Sequence, residues 1–315
     1  MNTAVKAGIF AGGLAVVFGG AYGVGGVIGP EDAGAEPAAH GEHAGEEETA
    51  TGHGGHAEAG EVPGGLQVSE GGYTLDLRTS RLRADRESEL AFTILDAHGK
   101  PVTAYEEEHE KELHLILAAR DLSTFRHVHP VRAADGTWSI DVNLPTAGDY
   151  RVFADFKPAA KGAKALTLGA DLAVAGAYNP AKLPEPDTTA TVDGYTVTLD
   201  GGLAAGAGRD LKFHVEKSGR PVTDLQPYLG AYGHLVALRT GDLAYLHVHP
   251  NGEPGDGATK PGPEVSFAAT APSDGTYRLY LDFKHEGEVR TAAFTVRTGT
   301  APQAGDSHDD AGHSH

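Results

Sequence analysis

Six histidines in two matching sets carry the pattern with the clearest chemical meaning. His127 and His129 stand two apart in His127-Val128-His129-Pro130, and the motif recurs as His247-Val248-His249-Pro250. A third histidine precedes each pair by 13 residues, His114 before His127 and His234 before His247. Residues two apart on a strand share a face, so each pair projects together. The longer spacing suits two antiparallel strands joined by a turn, which in the first set falls around 121–124. Three imidazoles converging from neighbouring strands make a ligand set for Cu(II) or Zn(II), with a position left open for water or a partner's ligand. Asp155 and Asp282 complete the candidate metal residues. Each would be a fourth ligand or the acceptor for the second nitrogen of a bound imidazole, or else would simply pair with Lys157 or Lys284.

Composition limits the chemistry to those side chains. The 315 residues include 17 His, no Cys and one Met, which removes disulfides, iron–sulfur clusters and thiolate zinc sites. With 25 basic and 44 acidic residues the net charge is −19, and binding to nucleic acid through its phosphates needs the opposite sign. Copper(II) outranks zinc(II) in intrinsic affinity for nitrogen ligands, so copper is the favoured ion and zinc the second. The ligands must be neutral imidazoles, so acid should release the ion.

A plainer reading has each H-V-H-P close a hairpin, its histidines bonded to turn carbonyls. Against it stands the survival of the whole three-histidine spacing in both sets while neighbours drift, as in Leu115-Ile116-Leu117 against Leu235-Val236-Ala237. His98, His109, His214 and His285 have no counterpart in the other set and are read as surface or local-packing residues. The acidic run at 106–110 is read as a solvated loop, because Gln226-Pro227-Tyr228-Leu229-Gly230 replaces it. An enzyme reading exists in Gly241-x5-His247-x-His249-x3-Glu253, which fits the first metal motif of the cupins. The first set has no matching glutamate, and the cupins' second histidine motif is absent from both. No G-x-S-x-G elbow or phosphate-binding glycine motif is present, so no enzymatic activity is assigned.

The elements that must hold these histidines come from an internal duplication of about 110 residues. Gly99-Lys100-Pro101-Val102-Thr103 matches Gly219-Arg220-Pro221-Val222-Thr223. Further on, Tyr150-Arg151-Val152-Phe153-Ala154-Asp155-Phe156-Lys157 matches Tyr277-Arg278-Leu279-Tyr280-Leu281-Asp282-Phe283-Lys284. In the first copy, strands are expected near 73–77, 89–95, 113–119, 125–129, 137–143, 150–156 and 167–174. About seven short strands with no amphipathic helix predict an all-β protein of two tandem immunoglobulin-like β-sandwiches. Tyr150 and Tyr277, each at the start of a strand, could supply the tyrosine corner of that fold, and Trp138 is assigned to the core.

Residues 7–29 carry no charge and are long enough to cross a bilayer as a helix. Lys6 precedes the segment and Arg78 is the next basic residue, which puts the N-terminus in the cytoplasm and the rest outside the cell. A cleaved signal peptide, with Ala33-Gly34-Ala35 as the small-residue site, is the alternative and would make the protein secreted. The expected order is a cytoplasmic stub at 1–6, a transmembrane helix at 7–29 and a disordered His/Glu-rich linker at 30–64. Sandwiches at 65–177 and 189–297 follow, joined by a linker at 178–188, with a disordered His/Asp-rich tail at 298–315.

Taken together, Glu110-Lys111-Glu112-Leu113-His114-Leu115-Ile116, His127-Val128-His129-Pro130, Phe153-Ala154-Asp155-Phe156, Tyr232-Gly233-His234-Leu235 and Leu246-His247-Val248-His249-Pro250 carry a resemblance. The chain resembles the membrane-anchored or secreted actinobacterial exported proteins of heavy-metal-binding-domain type. That resemblance spans about 65–297 and implies metal handling, with copper favoured. The expected partners are a metal ion and, through the N-terminal helix, the membrane. A metal-free extracellular interaction module, binding a protein partner through sheet edges and loops, is the competing function.

Overall fold

The computed structural model of the protein describes residues 62–246 and 248–299. The apolar segment 7–29, most of the acidic linker, almost all of the tail and the candidate ligand His247 lie outside the described residues. Every regular element described is a strand, and among the described residues no helix is long and apolar enough to cross a membrane.

The first copy contributes β1 (Ser69–Glu70), β2 (Tyr73–Leu77), β3 (Arg81–Arg83), β4 (Ser88–Leu95), β5 (Tyr105–Glu106), β6 (Leu113–Ala119), β7 (Phe125–Val128), β8 (Val131–Arg132), β9 (Thr137–Val142), β10 (Gly148–Pro158) and β11 (Leu166–Ala175). Two sheets result, ordered β1-β2-β4-β9-β8 and β3-β11-β10-β6-β7, with β3 running parallel to β11 and the other pairings antiparallel. The second copy contributes β12 (Thr189–Val192), β13 (Tyr195–Asp200), β14 (Gly208–Lys217), β15 (Arg220–Pro221), β16 (His234–Arg239), β17 (Tyr245–Leu246), β18 (Val248–Pro250), β19 (Glu264–Thr270), β20 (Thr276–His285) and β21 (Glu288–Arg297). Its sheets, β12-β13-β14-β19-β18 and β17-β16-β20-β21, repeat the arrangement. This is the strand order of immunoglobulin-type sandwiches, in which sheets ABED and CFG face each other, and not the jelly roll of the cupins.

Each sandwich closes over its own core. In the first, Leu90, Phe92, Ile94, Leu115, Leu117, Val152 and Ala154 are buried together with Trp138. In the second, Val197, Leu211, Phe213, Leu279 and Phe283 play the same part. The tyrosine corner is present twice: the Tyr150 hydroxyl donates to the Thr146 carbonyl at 2.9 Å and that of Tyr277 to the Ser273 carbonyl at 2.7 Å. Both bonds pin the turn that leads into the long strands β10 and β20.

A third apolar cluster lies between the copies. On β6 the residues alternate, Leu113, Leu115 and Leu117 facing inward and Ile116 and Ala118 joining Phe153, Val236, Leu238, Leu243 and Tyr280 on the outside. Every residue of β6 is therefore buried, which explains why Leu-His-Leu-Ile-Leu-Ala-Ala reads as a continuous apolar run instead of an alternating one. Phe125 stacks on Tyr280 with ring centroids 4.0 Å apart, and the Tyr280 hydroxyl donates to the Leu122 carbonyl at 3.0 Å. The Tyr245 amide donates to the Gly64 carbonyl at 2.9 Å, tying β17 to the segment that leads into the first sandwich. Sheet thus packs on sheet across the two copies. Each fully buried Leu, Ile or Phe contributes about 1.5–3 kcal/mol relative to exposure.

Candidate metal centre

The stripes that build this interface begin with histidine. Along β6 the outward residues run His114, Ile116, Ala118, and along β16 they run His234, Val236, Leu238. One end of the interface is consequently apolar and the other is imidazole and carboxylate. In the sheet register His114 lies opposite Asp155 and His234 opposite Asp282, while His127 lies opposite Ile116. His127 ends the outward face of β7, and His129 follows where the chain leaves that sheet for β8. The aspartates face outward with the histidines, and each accepts a hydroxyl from the next strand, Thr167 onto Asp155 at 3.0 Å and Thr291 onto Asp282 at 2.6 Å.

Among the described residues His114, His127 and His129 form a group whose ligand atoms all lie within 4.8 Å of one another. His114 Nδ1 stands 3.1 Å from His127 Nε2 and 3.2 Å from His129 Nε2. Metal–nitrogen bonds of about 2.0–2.1 Å at tetrahedral angles set ligand nitrogens about 3.3 Å apart, close to this spacing. The far nitrogens are already committed. His114 Nε2–H donates to the Glu108 carbonyl at 3.0 Å, and His127 Nδ1–H donates to Asp282 Oδ2 at 2.9 Å. When both rings are neutral, His114 Nδ1 and His127 Nε2 carry lone pairs that face each other. A shared proton or a cation relieves that opposition.

The acceptor behind His127 comes from the other copy: Asp282 reaches it because the docked sheets bring β7 over β20. Both side chains are almost wholly enclosed, 5% and 4% exposed. A carboxylate on the outer nitrogen of a ligand imidazole orients the ring and raises its basicity. Asp155 lines the neighbouring cavity of about 360 Å³ together with His114, His127, His234, Tyr245 and Glu253.

In the second copy His234 repeats the pose of His114, its Nε2–H donating to the carbonyls of Tyr228 and Leu229 at 3.0 Å each. Its ring centroid is 6.1 Å from that of His127 and 6.3 Å from that of His114. His249 is exposed and lines the same cavity. The third member of this set, His247, lies outside the described residues.

His109 was expected to be incidental, yet it stands beside the cluster, 6.1 Å from His114 and 5.2 Å from His234 by ring centroids. It occupies a turn closed by reciprocal backbone bonds between Glu108 and Lys111, and the run read as a solvated loop begins with β5, paired to β10. Tyr228 and Ala231 close the same turn in the second copy, with Leu229 in place of His109. No matching histidine in the second copy marks this position. Of the other three, His285 is a structural group, its Nε2–H donating to Asp224 and its Nδ1 accepting from the Tyr195 hydroxyl, while His98 and His214 are exposed.

Burial governs the electrostatics. It pushes the His114 pKa down to about 4, reinforced by His127 and His109 and opposed by the Glu108 carbonyl. Desolvation, followed by neighbouring imidazoles, takes His129 and His234 to about 3. These rings are neutral at pH 7 and hold the lone pairs a metal requires.

The fold and site together define a tandem immunoglobulin-type protein with a histidine cluster where its two sandwiches meet. The chain belongs to the family described as Domain of unknown function (DUF8832), whose model matches residues 67–170 and 190–300. No curated protein matches. Among solved structures, the Escherichia coli adhesin FdeC is 15% identical, with 74% of this chain and 65% of that one covered and a TM-score of 0.24. InvD of Yersinia pseudotuberculosis is 14% identical over 73% of this chain and 58% of its own, with a TM-score of 0.22. The chain therefore spans less than two thirds of either, and the fold assignment above rests on strand order and register.

Proposed function

We propose that this protein is an exported, membrane-anchored binder of a transition-metal ion, Cu(II) first and Zn(II) second, acting in metal buffering, delivery or resistance. The convergence of His114 Nδ1, His127 Nε2 and His129 Nε2 carries the reading, with the outer nitrogens of the first two already donating to Glu108 and Asp282. The absence of cysteine, the histidine-rich ends and the resemblance to exported proteins of heavy-metal-binding-domain type support it. Export and anchoring rest on the apolar segment 7–29 and its charge asymmetry. The histidine-rich ends would raise the local ion concentration and pass metal to the folded site.

A metal-free extracellular interaction module is the second reading. Its supporting observation is the two-residue strand β8 at the edge of its sheet, where Val131 is 74% exposed. Calorimetric titration of the untagged chain with Cu(II) and Zn(II), repeated with His127, His129, His247 and His249 changed to Ala, separates the two. The metal reading predicts a tight class of sites that the variant loses, and equal weak binding by both chains would favour the module.

A further inference from the structure

Asp282 belongs to one sandwich and the histidine it orients belongs to the other. We infer that ion binding at His114, His127 and His129 and docking of the two sandwiches are thermodynamically linked, each strengthening the other. The inference rests on the metal-binding reading above and adds its regulation: the centre is complete only while the interface is closed.

The charge arrangement supplies the coupling. The enclosed Asp282 carboxylate accepts from the Thr291 hydroxyl on its own sandwich and from His127 Nδ1–H on the other. An ion on His127 Nε2 places positive charge across the ring from Oδ2, so the closed state gains from the ion. Opening the interface removes the acceptor from His127, frees its ring to turn and returns Asp282 to water, so the open state holds the ion less well. A ligand that prefers one of two states stabilises it, and the effect is reciprocal.

The apolar far end of the interface allows a test that touches no ligand. Leu238 is fully buried in the cluster between the copies. It lies four residues along β16 from His234, about 13 Å at roughly 3.3 Å per residue. Zn(II) affinity is measured on the untagged full chain and on its Leu238→Ala variant. Binding to the histidine-rich ends is subtracted with a His114→Ala/His127→Ala chain. Linkage predicts that Leu238→Ala weakens the site by about fivefold or more. It also predicts that Zn(II) slows hydrogen exchange of the Tyr245 amide, which donates to Gly64 across the copies. If the alanine variant does not fold, Leu238→Val makes the same test with a smaller expected loss. Equal affinity in the Leu238 variant and wild type, with Tyr245 exchange indifferent to Zn(II), would overturn the linkage and leave the metal site standing. A wild-type chain that takes up no more Zn(II) than the double-histidine variant would overturn the site itself.

Discussion

His127 Nδ1 and Asp282 Oδ2 are 155 positions apart in the chain and 2.9 Å apart in the folded protein. The pair joins the copies at the polar end of their interface and leaves His127 Nε2 pointing at His114. Replacing Asp282 by Asn keeps the shape but removes the charge behind the ligand. Affinity of the site for Cu(II) or Zn(II) should fall about 10–100-fold, the usual cost of losing such an acceptor. Competition with a chelator of known affinity measures it, and an unchanged affinity would mean that Asp282 plays no part in the site.

Acid should destabilise the folded protein. His114, at about 4, and His129 and His234, at about 3, lie below the ordinary histidine value of 6.5. The unfolded chain therefore binds more protons once the pH drops beneath 6.5, and stability is lost progressively from there toward pH 4. The buried His114 and His234 each cost up to about 1.4 kcal/mol per pH unit in that window, and the half-buried His129 costs less. Urea midpoints at pH 7.5, 6 and 5 should decline in that order, and a bound ion should steepen the decline because protons compete for its ligands. A flat profile would show the rings to be open to solvent.

The tyrosine corner offers a change that leaves the metal centre alone. Tyr277→Phe removes the hydrogen bond to Ser273 from the turn before β20 and should cost about 1 kcal/mol. Metal affinity should stay within twofold of wild type. Denaturant unfolding and calorimetry on the same sample check both parts.

Gly65 permits a test in the segment that leads into the first sandwich. Its backbone has φ +75°, its amide donates to the Thr167 carbonyl, and a Cβ there would strike the Phe153 ring. Gly65→Ala combines a left-handed backbone with that overlap and should destabilise by about 1–3 kcal/mol. Thermal unfolding reads the loss, and a neutral result would show that the leader segment moves aside freely.

The duplication makes much of this fold legible in the sequence. Strand β6 runs over the expected residues 113–119, β2 over 73–77, and β7 ends one residue short of the expected 129. The short strands β1, β3, β5 and β8 escaped notice because two or three residues carry no usable alternation. The three-histidine spacing was readable because a strand's two-residue period fixes facing. Docking of the copies was not, since it joins residues more than a hundred positions apart. Its trace was present in β6, where Ile116 and Ala118 are as apolar as Leu115 and Leu117, the mark of a strand covered on both faces. His109 escaped for the opposite reason: comparing the copies discards any residue that only one of them has.

Electron paramagnetic resonance of Cu(II) bound at one equivalent tests the three-imidazole centre directly. Recorded on the untagged chain and on its His114→Ala/His127→Ala/His129→Ala variant, it reports the nitrogens around the ion. A single species with three imidazole nitrogens is expected in the wild type and lost in the variant, where only copper held elsewhere in the chain remains. The same spectrum from both chains would contradict that centre.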